Sequence, residues 1–331
     1  MSSLKGETCP VFTRGEGSPS VFAERRIWMK ATKALRAFLN GDDLLITVGA
    51  YDALSAKLIE EAGVQAIYTT GFGISASHLG RPDAELYTMT ENLAVVAHMT
   101  AAVKIPIIAD IDTGYGNAVN VIRTVQEFER AGCAGGVLED QLVPKRCPAC
   151  ADLFSILPEE EAIGKIRAAV DARRDPDFVI IARTDAKGAE AVRRANAYAA
   201  AGADVVVLIS KAFPTVDELK THCKEIKVPL CFNIMEGIHY ASWLNDEWNK
   251  EELQKVGVKI LNYPLVPLFA AAQAMKEVLK EIPGHLTLKD LHLPKRIDHT
   301  EFLNLVGFPE INRLQEKYMP SQEVIFGKIT R

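Results

Sequence analysis

The segment NAVNVIRTVQEFERAGCAGGVLED, residues 117–140, reads as one structural unit: a helix over Asn117–Ala131, a glycine tag, and a β-rich apolar run over Gly136–Asp140. The tag, Arg130-Ala-Gly-Cys133, has counterparts at Glu61-Ala-Gly-Val64, Ala200-Ala-Gly-Ala203 and Lys255-Val-Gly-Val258. Glycine past a helix end is the usual left-handed cap, because it has no Cβ to clash at positive φ. Each tag therefore marks a helix that stops just before a strand.

Outward from this unit the same rhythm continues. Further apolar runs lie at Leu44–Gly49, Ala66–Thr70, Ile105–Asp112, Phe178–Asp185, Val205–Ile209, Leu230–Ile234 and Ile260–Tyr263. Helical patterns separate them, among them Ala53–Ala62, Glu91–Val103, Glu159–Arg173, Ala189–Ala201 and Val216–Glu225. Strands that are apolar on both faces need cover on both sides, which implies a parallel sheet. Eight strand–helix units closing on each other predict an α/β fold of the (β/α)8 TIM-barrel type. A doubly wound sheet rarely needs eight regular units.

The rhythm also sets the expected organisation. Residues 1–22 lack periodicity and predict a mobile N-terminal arm. A helix is expected over Ala23–Asn40, closed by Gly41, and the barrel domain over residues 23–282. Residues 283–331 carry Pro294, Pro309 and Pro320 between short helical pieces, and predict a C-terminal helical arm that contacts another subunit.

Bulk properties exclude several classes. A net charge of −5 gives no support for a nucleic-acid partner. There is no apolar run long enough to span a membrane. The N-terminus lacks a basic region followed by an apolar one, so a cytoplasmic protein is expected. The lone Cys147-x-x-Cys150 pair has no second pair or nearby His to complete a zinc site.

In a barrel of this kind the active site stands at the C-terminal ends of the strands. Those ends carry Asp110-Ile-Asp112, Glu139-Asp140, Arg183-Thr-Asp185 and Asn233. Asp110 and Asp112, two apart, are expected on one side of their strand. A lone acid at such a position reads as a helix cap or an ion-pair partner. Several together repel each other unless a cation lies between them, and oxygen donors suit Mg²⁺ or Mn²⁺. The glycine-bearing turn Thr113–Asn117 follows. In the next loop Lys145 and Arg146 adjoin Cys147. Two cations can favour a thiolate or clamp a substrate carboxylate; a solvated basic loop with an inert thiol is the alternative.

At these residues the chain resembles the isocitrate lyase/phosphoenolpyruvate mutase superfamily. The resemblance covers most of residues 30–280. It rests on Gly49-Ala-Tyr-Asp-Ala-Leu-Ser-Ala56, Tyr68-Thr-Thr-Gly-Phe-Gly73, Asp110–Asn117, Glu139-Asp-Gln141, Pro144-Lys-Arg-Cys147, Ile181–Ala186 and Tyr263-Pro264. It implies a Mg²⁺ site with Asp112 as the nearest ligand and Asp110 and Glu139 acting directly or through water. It implies substrate contacts from Tyr51, Ser55, Thr70, Gly71, Phe72, Asp83 and Asn233. Arg183 would stabilise an oxyanion. Cys147, on a loop shared with Lys145 and Arg146, would protonate a leaving carbanion. It also implies a homotetramer with a C-terminal helix swapped between paired subunits, acting on a small carboxylate.

The Lys-Arg-Cys triplet is similar to the 2-methylisocitrate lyase-like and dimethylmalate lyase-like branch. Two features depart from it. Pro148 and Ala149 stand where these lyases continue Gly-His, and Ile209 stands where they carry Glu. The expectation is a carbon–carbon lyase that splits a 2-hydroxy dicarboxylate, methylisocitrate- or alkylmalate-like, into a 2-oxo acid such as pyruvate and a second carboxylic acid. The alternatives are a P–C mutase or hydrolase acting on phosphonopyruvate or oxaloacetate, and a metal-binding member without catalysis.

Overall fold

The computed structural model describes residues 30–147, 155–209, 212–235, 249–284, 287 and 295–320. The expected N-terminal arm over residues 1–22, and Pro148, Ala149 and Cys150, lie outside these residues. Within the compact unit formed by residues 31–331, eight parallel strands close a barrel in chain order. They are β1 Leu45–Ala50, β2 Ala66–Thr69, β3 Ile107–Asp110, β4 Gly135–Glu139, β5 Val179–Thr184, β6 Val205–Leu208, β7 Leu230–Asn233 and β8 Val258–Tyr263. Closure is visible at Thr47, which stands opposite Ala66 of β2 on one side and Asn262 of β8 on the other.

The helices are α1 Ala31–Asn40, α2 Ala53–Glu61, α3 Gly71–Ile74, α4 Met89–Ala102, α5 Ala118–Arg130, α6 Glu159–Ala172, α7 Gly188–Ala200, α8 Val216–Cys223, α9 Lys250–Lys255 and α10 Val266–Glu281, followed by α11 His299–Leu305 and α12 Phe308–Tyr318. Local chemistry starts several of them. Asp52 and Ser55 form a reciprocal capping box on α2, Thr88 and Glu91 on α4, and Asn117 and Asn120 on α5. The four tag glycines, Gly63, Gly132, Gly202 and Gly257, all have positive φ, between 83° and 104°. α3 runs into one turn of π-helix, Ser75–Leu79, which the sequence pattern does not announce.

Two apolar layers result. Inside the barrel lie Leu45, Ile108, Val137, Ile181, Val207, Cys231 and Ile260. Between barrel and helices lie Ile67, Ile107, Phe128, Ile180 and Val206, among others. Leu35 of α1 joins the inner layer, and Arg36 pairs with Asp204 at 2.7 Å. α1 thus covers the N-terminal end of the barrel and leaves the C-terminal end for chemistry. Among the described residues no helix is long and apolar enough to cross a membrane.

Candidate active site

Alternation along the strands builds the site. Counting two residues on from the interior side chains Ile108, Val137, Ile181, Val207, Cys231 and Ile260 gives Asp110, Glu139, Arg183, Ile209, Asn233 and Asn262. The same strand face that fills the core therefore carries polar groups at the C-terminal end, with Ile209 of the segment following β6 as the apolar exception. Asp110, Arg183, Ile209, Asn233 and Asn262 line one cavity of about 80 Å³, joined by Tyr68, Thr70, Phe72, Asp83 and Cys147. Asp140 is one residue out of phase and faces the helices. It accepts hydrogen bonds from Thr184 Oγ1 and Tyr198 Oη, both at 2.7 Å, and pairs with Arg194 at 3.3 Å. For Asp140 the ion-pair reading of a strand-end acid is the one that applies.

The acidic turn is tightly determined. Asp110 Oδ2 accepts from the Gly71 amide at 3.1 Å and Oδ1 from the Asp112 amide at 3.1 Å. Asp112 lies beyond the end of β3 with φ +49°, and Tyr115 has φ +59°. Strand alternation is therefore not what aims Asp112; a left-handed backbone does. Its Oδ2 accepts from Tyr115 Oη at 2.7 Å, and Asn92 Nδ2 donates to the same hydroxyl at 2.7 Å. The two carboxylates meet beside Gly71. A Cβ there would stand 2.8 Å from Asp110 Oδ2, 3.3 Å from Asp112 Oδ1 and 2.6 Å from Tyr87 Oη, so a larger residue here would displace the site's own carboxylates.

Lys145 does not project toward solvent from a basic loop. Its side chain is 2% exposed, with Nζ 2.6 Å from Asp112 Oδ1 and 3.2 Å from Asp83 Oδ1. Burial disfavours its charge, but Asp112, Asp83, Glu139 and Asp110 together hold its pKa well above the usual lysine value. Arg146 is exposed; its backbone amide donates to Gln141 Oε1 at 2.8 Å. Cys147 is half-buried at the cavity wall, and its amide donates to the Asp83 carbonyl at 3.2 Å.

Arg183 is oriented by Asp185 through Nε–Oδ1 and Nη2–Oδ2 contacts of 2.9 and 3.0 Å, and pairs with Glu139 Oε2 at 3.0 Å. Its side chain remains 19% exposed, at the cavity. Burial pushes Glu139 up to about 8, against the opposing pull of Lys145 and Arg183. Asp110 rises to about 6, again chiefly from burial, with Lys145 opposing. On the far side, Asn262 donates to Asn233 Oδ1 at 2.9 Å and accepts from Thr47 Oγ1 at 3.0 Å. This relay leaves the Asn233 NH₂ as its donor toward a ligand.

The expected site residues divide accordingly. Thr70, Phe72, Asp83, Asp110, Cys147, Arg183 and Asn233 line the cavity, with Gly71, Asp112, Lys145 and Glu139 immediately behind. Tyr51 and Ser55 do not. They line a separate apolar groove between α2 and α10, and Ser55 Oγ is engaged in capping α2. Sequence reasoning missed Tyr68, Met235, Asn262 and Leu265, all cavity-lining. Tyr68 was accessible from its phase, two residues before Thr70.

The donor set suits a hard divalent cation. Among the described residues, Glu139 Oε1 is buried without a hydrogen-bond partner, and Asp112 Oδ1 and Asp83 Oδ1 meet Lys145 only as ion pairs. Among the described residues, no three His, Cys, Asp or Glu side chains form a ready cage. Magnesium commonly uses one or two carboxylates and keeps several waters, so the arrangement fits it.

The phosphoenolpyruvate phosphomutase family model matches residues 35–283. The chain is 38% identical over 294 residues to 2,3-dimethylmalate lyase of Eubacterium barkeri, covering 88% of this chain and 99% of the relative. It is 36% identical over 298 residues to 2-methylisocitrate lyase of Aeropyrum pernix, covering 89% and 93%. A solved phosphonopyruvate hydrolase in complex with oxalate and Mg²⁺ superposes with a TM-score of 0.76 at 35% identity, covering 88% of this chain and all of the other. The chain belongs to the phosphoenolpyruvate mutase/isocitrate lyase superfamily of enzymes.

Proposed function

We propose that the protein is a Mg²⁺-dependent carbon–carbon lyase that cleaves an alkyl-substituted 2-hydroxy dicarboxylate into a 2-oxo acid and a second carboxylic acid. One observation carries this reading. The cavity combines charged lining residues, Asp110 and Arg183, with apolar ones, Ile209, Met235, Pro264 and Leu265, and Cys147 also lines it. Asp112 would hold Mg²⁺, with Asp110 and Glu139 acting directly or through water; Mn²⁺ has the same preferences. When bound, the metal would supply Lewis-acid stabilisation of negative charge developing next to the substrate carboxylate.

The chain's own groups do the rest. The Thr70–Phe72 turn would receive the carboxylate of the oxo-acid half. Arg183, fixed by Asp185 and Glu139, would stabilise the oxyanion. The Asn233 amide would orient the distal half. Cys147 would deliver a proton to the carbon released from the bond. An ionised carboxylate against Ile209 would be desolvated without a partner, at a cost of several kcal/mol. An alkyl group loses nothing there, so the wall favours an alkylmalate over a tricarboxylate.

The same residue favours a second reading. Ile209 in place of Glu also suits a substrate with a short distal group, such as phosphonopyruvate or oxaloacetate, and hydrolysis or P–C chemistry. A panel of malates, phosphonopyruvate and oxaloacetate, assayed with Mg²⁺ for pyruvate or glyoxylate release and for phosphate and oxalate, separates the two. Release from alkylmalates that is lost in Cys147→Ser supports the lyase; turnover of phosphonopyruvate alone sinks it.

We also infer a cytoplasmic homotetramer with a helix exchanged between subunits, and assign the exchange to α10, which precedes the arm over residues 283–331 expected from the sequence to contact another subunit. None of the 16 residues of α10 is buried, and Phe269, Met275 and Leu279 are exposed. Beside its base lies an apolar groove of about 400 Å³ lined by Leu54, Leu58 and Ile59 of α2.

A further inference from the structure

We propose that Glu85 is a positioning residue that latches the Lys145–Cys147 segment to the acidic turn and so keeps Cys147 at the cavity wall. Glu85 has φ +51°, a conformation that a residue with a side chain adopts at a steric cost. Such outliers persist where the surroundings over-determine them. Here they do. Ser75 Oγ contacts the carbonyls of Arg81 and Pro82 at 3.1 and 2.8 Å, and the Thr88–Glu91 capping box fixes the chain just beyond.

The strained backbone aims a carboxylate between two functional segments. Glu85 Oε1 accepts from the Thr113 hydroxyl, next to Asp112. Glu85 Oε2 accepts from the Lys145 amide at 3.2 Å. Asp83 completes the grip: its carbonyl accepts from the Cys147 amide at 3.2 Å, and its carboxylate meets Lys145 Nζ at 3.2 Å. Glu85 thus joins the Asp112 turn to the backbone that carries Cys147, alongside the Lys145–Asp112 ion pair, and does so through a main-chain amide. A glycine would take this φ without strain but would leave the Lys145 amide without this acceptor.

The value of the latch to catalysis rests on the role proposed above for Cys147, but the latch can be read without turnover. The measurement is the rate of iodoacetamide alkylation at Cys147 in the full-length protein, followed by peptide mass mapping. The buried Cys133, Cys223 and Cys231 serve as internal reporters of global opening. Three variants separate the latch from backbone effects. Glu85→Asn tolerates the left-handed backbone but is one methylene too short. Glu85→Gly relieves the strain and has no side chain. Glu85→Gln keeps both reach and acceptor.

Glu85→Asn and Glu85→Gly are expected to alkylate at Cys147 about tenfold faster than the parent, as release of the Lys145 amide from its charged acceptor implies. Glu85→Gln is expected to alkylate at close to the parent rate, and the three buried cysteines to remain unmodified. The proposal is overturned if Glu85→Asn reacts at the parent rate, whatever Glu85→Gly does, or if Glu85→Gln reacts as fast as Glu85→Asn. If every candidate acid proves inert, the lyase reading fails while the alkylation result still decides the latch.

Discussion

Lys145 Nζ and Asp112 Oδ1 lie 2.6 Å apart, and both side chains are buried. The lysine is the cation closest to the carboxylate expected to hold the metal. Removing one partner of a buried pair leaves the other charged and desolvated, at a cost of about 3–5 kcal/mol. Lys145→Met is therefore expected to lower the melting temperature of the metal-free protein by several degrees. Mg²⁺ should restore much of the loss, because it supplies the missing positive charge. Thermal unfolding with and without Mg²⁺ reads this directly; equal Mg²⁺ shifts in variant and parent would contradict it.

The pH dependence of the metal-free protein follows from Glu139 and Asp110, raised to about 8 and about 6. A carboxyl whose folded pKa is raised holds its proton longer in the folded state than in the unfolded chain. Stability from these groups is then fully present below the unfolded carboxylate pKa and falls as pH rises toward 8. Mg²⁺ selects the ionised forms, so its binding should release protons and tighten with rising pH. Urea unfolding between pH 5 and pH 8, and Mg²⁺ titration calorimetry in buffers of different ionisation enthalpy, test the two halves. Stability that rises across this window without metal would count against the assignment.

Much of this site is legible in the amino-acid sequence, for a definite reason. The alternation that buries Ile108, Val137, Ile181 and Cys231 also turns Asp110, Glu139, Arg183 and Asn233 inward, and alternation is a property of sequence. The tag glycines are equally readable, since positive φ after a helix selects for glycine. Asp112 falls in the right neighbourhood by the wrong argument, because a turn aims it rather than a strand. Lys145 reaches back to Asp112 and Asp83, acids on earlier segments of the chain, and no local pattern encodes that. Glu85 defies reading altogether: a glutamate gives no sign that its backbone is left-handed.

Asp185 contacts Arg183 through both carboxylate oxygens. It is expected to act through the guanidinium and not on the substrate. Asp185→Asn should lower kcat by about tenfold to a hundredfold with a smaller change in KM, whereas Arg183→Ala should cost about a hundredfold to a thousandfold, as for loss of an oxyanion donor. The double variant should be no worse than Arg183→Ala, since the two act as one unit. Additive losses in the cycle would show that Asp185 has a separate task.

Ile209 is 7% exposed and forms part of the apolar cavity wall. Ile209→Ala is expected to raise KM for an alkyl-substituted malate by about tenfold or more, the worth of a few methylenes in an apolar pocket. Unsubstituted malate, which does not reach the wall, should be little affected. Equal effects on both acids would mean that Ile209 supports the barrel rather than selecting the substrate.

The exposed face of α10 leads to a prediction about assembly. Met275 and Leu279 are 59% and 60% exposed, four residues apart and so on one side of the helix. Together with Phe269 they are the apolar residues that the assembly proposed above would cover. If α10 packs on another subunit, a charge at Leu279 must be buried without a partner. Leu279→Glu is then expected to shift the protein to a smaller species by light scattering after size exclusion, with the barrel's far-ultraviolet dichroism preserved. Lys280→Glu, on a neighbouring exposed position, controls for charge alone. A Leu279→Glu protein of unchanged mass would remove α10 from the interface and with it the exchanged-helix assembly.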